Sequence, residues 1–282
     1  MSNNYFNPDG VARPGGNYMH GAEYPAGSRV LYSAGQVGIT ADGATPDDFF
    51  EQADIAWQSI GKILRDADMT AADIIRVNHF LTVPADIGDP FQDLVIPYDS
   101  GVAAKHLAGN KPASTLVFIP ALVMPQFRLE VEIVAAAAPR TGNQTTPTIR
   151  FFDPDDIGPP VGAYSQGAEI SATARLLHTA GQVGAAADGS VPQGFAAQAE
   201  NTFRNLVGVI EGDGMSPADI AKIRVFLTDM SDLSIYRDVR QKYLGDSRPA
   251  STLIAIEALA MPELKIEVEV VCAKDDSAHD RP

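Results

Sequence analysis

A serine sits in each of two nearly identical stretches, KPASTLVFIPALVMPQFRLEVEIV from Lys111 to Val134 and RPASTLIAIEALAMPELKIEVEVV from Arg248 to Val271. Ser114 and Ser251 would act as nucleophiles only with a base in reach, but no histidine recurs beside them and P-A-S-T is not a nucleophile elbow. They are read instead as hydrogen-bonding groups. The five histidines, His20, His79, His106, His178 and His279, form no pair at ligand spacing on one helix or strand, so no metal is expected. Cys272 is the only cysteine, which excludes an intrachain disulfide and a thiolate metal cluster within one chain. The remaining chemistry lies in carboxylates. Each stretch ends in an alternating strand: Leu129, Val131 and Ile133 oppose Glu130 and Glu132, and Ile266, Val268 and Val270 oppose Glu267 and Glu269. Such a carboxylate face meets water, or meets a polar partner surface that closes over it.

The elements that must carry these residues also occur twice. Gly16, Tyr18, Gly21, Gly35, Gln36 and Gln52 recur 146 residues later as Gly162, Tyr164, Gly167, Gly181, Gln182 and Gln198. From Lys111 onward the offset is 137, so the first copy carries nine extra residues between Thr82 and Lys111. RVLYSAGQVG and RLLHTAGQVG read as β-rich runs ending in glycine. TPDDFFEQADIAWQSIGKILRDA opens with a Thr45 cap, Pro46 at the first helical position and two aspartates, predicting a helix with a stripe of Phe50, Ile55, Ile60, Ile63 and Leu64. The second copy puts Phe195, Phe203, Leu206 and Ile210 on the equivalent face. Thr70–Asp73 and Ser216–Asp219 resemble capping boxes. IIRVNHFLT and IAKIRVFLT read as strands, each followed by a second helix and the two closing strands. The order β-β-α-β-α-β-β is an α+β unit with helices on one face of a mixed sheet. The expected division is a first unit at 5–138, a linker at 139–149 and a second unit at 150–273, followed by a mobile tail.

Composition narrows the partners. Of 282 residues, 45% are hydrophobic and 20% charged, as in a folded globular protein. The net charge of −15 opposes binding to a phosphate backbone, so nucleic acid is not an expected partner and ribonuclease activity is disfavoured. MSNNYFNPDGVARPGG has neither the basic start nor the apolar core of a signal peptide, and no apolar run approaches a membrane span. A soluble, cytoplasmic protein is expected.

The G-x-Y-x-x-G loops, the S/T-A-G-Q-V-G runs and the P-A-x-[ST]…[IL]-E-V-E endings together resemble the Rid family, also called YjgF/YER057c/UK114, over nearly the whole chain, twice. The resemblance implies two tandem chorismate-mutase-like units. It also implies trimers with ligand clefts between neighbouring units, so three tandem chains are expected to form a six-unit homo-oligomer. The family's best-known activity is hydrolysis of reactive enamines and imines to a keto acid and ammonia, with no cofactor. Glu130 and Glu267 match its water- and proton-handling glutamate, and Tyr18 and Tyr164 its loop tyrosine. Gln36 and Gln182 of the A-G-Q run are further substrate-binding candidates. The family's deaminases hold the substrate carboxylate with an arginine directly after P-A, where this chain has Ser114 and Ser251, and a hydroxyl cannot replace a bidentate guanidinium. Lys111 and Arg248 stand three residues upstream, an odd offset that points a strand side chain to the other face unless a bulge intervenes. The family's frequent serine in S-G-Q is Ala34 and Ala180 here. The implied function is a hydrolase or deaminase of a small imine, enamine or related C=N metabolite, without the usual arginine clamp. The alternative is a non-catalytic small-ligand-binding or chaperone-like protein. The nine-residue extension and His20 mark the first copy as the more altered, which favours the second as the active one.

Overall fold

The structure is a computed structural model and describes residues 2–140 and 147–275. Residues 141–146 of the expected linker and the tail from 276 onward lie outside the described residues. The first unit contains β1 (Asn4–Phe6), β2 (Gly21–Glu23), β3 (Arg29–Ser33), β4 (Gln36–Val37), α1 (Phe49–Asp66), β5 (Ile74–Leu81), α2 (Ala104–Leu107), β6 (Ala113–Phe118) and β7 (Leu129–Ala137). The second repeats this as β8 (Ile149–Phe152), β9 (Gly167–Ile170), β10 (Ala174–His178), β11 (Gln182–Val183), α3 (Phe195–Gly212), β12 (Ile220–Leu227), α4 (Leu233–Leu244), β13 (Ala250–Ala255) and β14 (Ile266–Asp275). Each unit is α+β, with a mixed sheet in which β5/β6 and β12/β13 run parallel and the other pairings are antiparallel.

The long alternating strands occupy the middle of their sheets because both faces are covered. Leu129, Val131 and Ile133 pack with Phe49, Ala53, Trp57, Ile60 and Leu64 of α1 into one core, and Ile266, Val268 and Val270 pack with α3 into another. Each fully buried aliphatic side chain of this kind contributes about 1.5–3 kcal/mol. The helix begins later than its sequence suggests: Asp48 caps it by accepting the Glu51 N–H at 2.9 Å. The Pro46 carbonyl instead accepts from the Gln52 side chain at 2.7 Å. The buried stripe accordingly runs through Phe49 and Trp57, leaving Phe50 and Ile55 half-buried. Both expected capping boxes form. The second unit's α4 is regular, whereas the first winds π-helical turns over Pro90–Val95 and Tyr98–Ala103 before α2. Wider turns of this kind absorb residues inserted into a helix.

One pairing joins the units. The β8–β9 hairpin belongs to the second unit, yet β9 lies antiparallel on β3 of the first, with Val30 opposite Ile170 and Ser33 opposite Gly167. Glu169 of this hairpin is held by Arg29, Arg140 and Arg150, which also grip carbonyl oxygens at the C-terminal end of α1. Cations there complement the helix dipole. A second buried cluster binds the faces turned away from the helices. Glu132 accepts from Lys222 at 2.7 Å, Thr252 at 2.6 Å and Asn78 at 2.7 Å, and pairs with Arg224, which also reaches Glu269. Burial opposes ionisation of Glu132, but Lys222 and Arg224 outweigh it and hold its carboxyl below the usual range. No helix among the described residues is long and apolar enough to cross a membrane.

Candidate active site between the units

Two glycines make room for the strand glutamates. A Cβ on Gly35 would stand 1.6 Å from Glu130 Oε1, and one on Gly181 would stand 1.7 Å from Glu267 Oε1. The first glycine of each G-Q-V-G run is therefore the position over which the carboxyl lies. The last one faces the buried glutamine of the helix, since a Cβ on Gly38 would stand 2.3 Å from Gln52 Cβ.

Glu130 opens into a cavity of about 640 Å³ between the two units. From the first unit Gln36, Val37, Phe127 and Glu130 line it, and from the second come Tyr164, Gln166, Ser251 and one face of α4. Backbone bonds fasten the two sides, from Ala34 N to Gln166 O at 2.8 Å and from Gly35 N to Ser251 O at 3.0 Å. The Gln36 side chain donates to Gln166 Oε1 at 2.7 Å across the same seam. Glu130 is 5% exposed, and burial, with the neighbouring Glu132 charge adding and Lys222 opposing, pushes its carboxyl up to about 8. It holds a proton at neutral pH. Burial likewise pushes the Tyr164 hydroxyl up to about 12, so it remains a donor. A neutral carboxylic acid in a mostly apolar cleft that Tyr164 and Ser251 also line is equipped to give a proton to a bound nitrogen or carbon and then to take one from water.

The candidates therefore separate by place, along a line that cuts across the two copies. Glu130 and Gln36 of the first unit meet Tyr164 and Ser251 of the second. Glu267, Gln182, Tyr18 and Ser114 do not line this cavity. Burial and the Glu269 charge raise the Glu267 carboxyl, although the residue is more exposed than Glu130. Tyr18 packs edge-on against His20 with ring centroids 5.9 Å apart, and Ser114 lies on β6 at the rim of its sheet. Arg248 is outside the cavity: its guanidinium donates to the Tyr164 carbonyl at 2.9 and 3.2 Å, fixing the tyrosine loop. Lys111 is exposed and also outside it.

Lining residues that the sequence did not single out include Gln166, Arg237 and Arg240. Gln166 stands 146 residues after His20 in the repeat, so the two copies differ there and the repeat gives it no matching partner. Arg237 and Arg240 belong to a helical face of Leu233, Tyr236, Arg237, Arg240 and Gln241, spaced i, i+3, i+4, i+7, i+8. That face could be recognised only once α4 was known to border a cleft. Arg240 is buried and donates to the Ala163 and Ser247 carbonyls, holding the loop that presents Tyr164.

The profile of the Endoribonuclease L-PSP family matches residues 12–137 and again residues 157–274. The chain belongs to this family, known also as Rid, and contains its module in tandem. A RutC family protein of Pyrococcus horikoshii is 30% identical over 123 residues, covering 41% of this chain and 90% of that protein. The 2-iminobutanoate/2-iminopropanoate deaminase of Escherichia coli is 26% identical over 118 residues, covering 40% and 89%. Among solved structures, the Rid-family protein YyfB of Yersinia pestis is 30% identical, with a TM-score of 0.42, covering 45% of this chain and 99% of its own.

Proposed function

We propose that the cleft between the units hydrolyses the C=N bond of an imine, or of the imine tautomer of an enamine, to a carbonyl compound and ammonia. The observation that carries this is the proton-holding Glu130 carboxyl, buried against Gly35 at the wall of a cavity that Tyr164 and Ser251 also line. Relatives named as reactive intermediate deaminases support the same reading. Glu130 gives its proton to the imine nitrogen, and a water molecule adds to the carbon. The Glu130 carboxylate takes a proton from that water. Glu130 then returns that proton to the carbinolamine nitrogen and takes the hydroxyl proton as the C–N bond breaks, ammonia leaves and the C=O bond forms. Tyr164 and Ser251 orient the substrate and the water, and Gln36 fixes Gln166 at the seam. The chemistry needs no redox partner, because C=N–H plus water balances C=O plus ammonia.

The test is ammonia release from imines generated in situ, with Glu130→Gln beside the unaltered protein. A loss of about 10²–10⁴-fold is expected for removal of a general acid–base group. Equal rates in the two proteins would remove the mechanism, and ligand binding without turnover in the unaltered protein would favour the non-catalytic alternative. The proposal extends to assembly: Glu267 and Gln182 at one end of the chain and Tyr18 and Ser114 at the other form half-sites that a neighbouring chain would complete in a three-chain particle. The outer edge of β10 has no strand partner among the described residues, which supports further contacts there. Light scattering should give three times the 29.9 kDa chain mass; a stable single chain at micromolar concentration would contradict it.

A further inference from the structure

The cleft contains a cation that the strand position after P-A does not supply. Arg237 lies on the α4 face that borders the cavity, is exposed, and has no hydrogen bond or ion pair among the described residues. Its helical neighbour Arg240 also lines the cavity but is buried, and one of its guanidinium nitrogens donates to two backbone carbonyls that hold the loop, whereas Arg237 has no such bond. Asp42 lies on the same cavity, but it takes the Thr40 hydroxyl and makes no ion pair with Arg237. In a chain of net charge −15, an unpaired guanidinium on a cleft wall favours an anion there. Counting back from the shared helix ends, Leu107 and Leu244, the first unit has Ser100 and Ala103 where the second has Arg237 and Arg240. At these two helix positions the cation is thus present in the second unit and absent from the first.

We propose that Arg237 is the carboxylate-binding residue of this cleft, and that the ligand is a carboxylate-bearing imine with a bulky apolar body. The inference rests on the imine-hydrolase reading for the words "imine" alone. The size follows from the cavity: about 640 Å³ falls in the range of roughly 300–1,000 Å³ that encloses drug-sized ligands, and exceeds what a four-carbon imino acid fills. The apolar body follows from the walls, where Val37, Ile39, Met124, Phe127, Val161 and Leu253 face the cavity. Moving the anion-binding group from a sheet strand to a helix shifts where the carboxylate rests, and leaves Ser251 free to bond the reacting end.

The test separates binding from turnover. Phenylpyruvate, a stable carboxylate-bearing carbonyl compound, and phenylacetone, its uncharged counterpart, are titrated by calorimetry into the full chain and its Arg237→Gln and Arg237→Lys variants. Arg237→Gln should weaken phenylpyruvate about tenfold, a figure discounted for the exposure of the guanidinium. Arg237→Lys should restore part of the loss, and phenylacetone should bind all three proteins alike. Failure of phenylpyruvate to bind the unaltered protein, equal affinity in Arg237→Gln, or an equal loss for phenylacetone would overturn the assignment. These titrations read out whether or not the protein turns imines over, so loss of the hydrolase reading and loss of the Arg237 assignment are distinguishable.

Discussion

Replacing Glu130 by glutamine should make the protein more stable near neutral pH while removing its activity. The carboxyl is raised from 4.5 to about 8 in the folded chain, first by burial and then by the Glu132 charge. The folded state therefore keeps a proton that the unfolded state loses above pH 4.5. This group's contribution to stability is complete below that pH, falls as pH rises, and levels off above about 8. Each pKa unit is worth about 1.4 kcal/mol, so at pH 7 the loss is on the order of 3 kcal/mol. Glutamine copies the protonated form at every pH. Urea unfolding of both proteins at one fixed chain concentration should show the variant's advantage growing between pH 5 and 8 and flattening at pH 9, other titrations cancelling in the difference. A difference that does not change with pH, or one that shrinks as pH rises, would refute the assignment of a buried, neutral Glu130. The same titration governs the reaction: kcat/KM should hold steady below about pH 8 and fall above it as the acid loses its proton.

Other perturbations follow from the same geometry. Gly35→Ala places a methyl group where the Glu130 carboxyl lies, so ammonia release should fall about 10²-fold with misplacement of the acid. Gly181→Ala, which displaces Glu267 instead, should leave turnover in the Glu130 cleft intact and cost at most the share contributed by the inter-chain half-sites. Lys222→Met leaves Glu132 buried without its lysine, costing about 3–5 kcal/mol in denaturant unfolding. Adding Glu132→Leu to Lys222→Met should recover much of that loss, because no charge is then stranded. Arg248→Gln frees the Tyr164 carbonyl and should raise KM more than it lowers kcat, a split visible in steady-state ammonia release.

Much of the architecture was legible because the repeat and the alternation are local patterns. The period-two runs fixed the faces of β7 and β14, and the helical spacing of apolar residues placed α1 and α3 beneath them. The start of α1 was misplaced because Thr45-Pro46 and Asp48 are both acceptable openings, and only the engagement of the Pro46 carbonyl by buried Gln52 selects the second. The pairing of β9 with β3 was not legible. It joins residues more than a hundred positions apart in different copies, and a register of that kind leaves no periodic trace in either strand. Its consequence for the site is large, since it seats the second unit's tyrosine loop over the first unit's glutamate. Residue types therefore drew attention to Glu130, Tyr164, Ser251 and Gln36, which line one cavity, but not to which copies combine. The α4 arginines were hidden for a related reason: a polar helical face looks solvent-directed until its neighbour is known.

The central claim is that one reactive cleft is built from Glu130 of the first unit and Tyr164 and Ser251 of the second. A crystal structure of the protein with phenylpyruvate tests it most directly. The expected result is the keto oxygen within hydrogen-bond distance of the Glu130 carboxyl, in the cavity that Tyr164 and Ser251 also line. A keto acid bound only beside Glu267, or away from both glutamates, would contradict it.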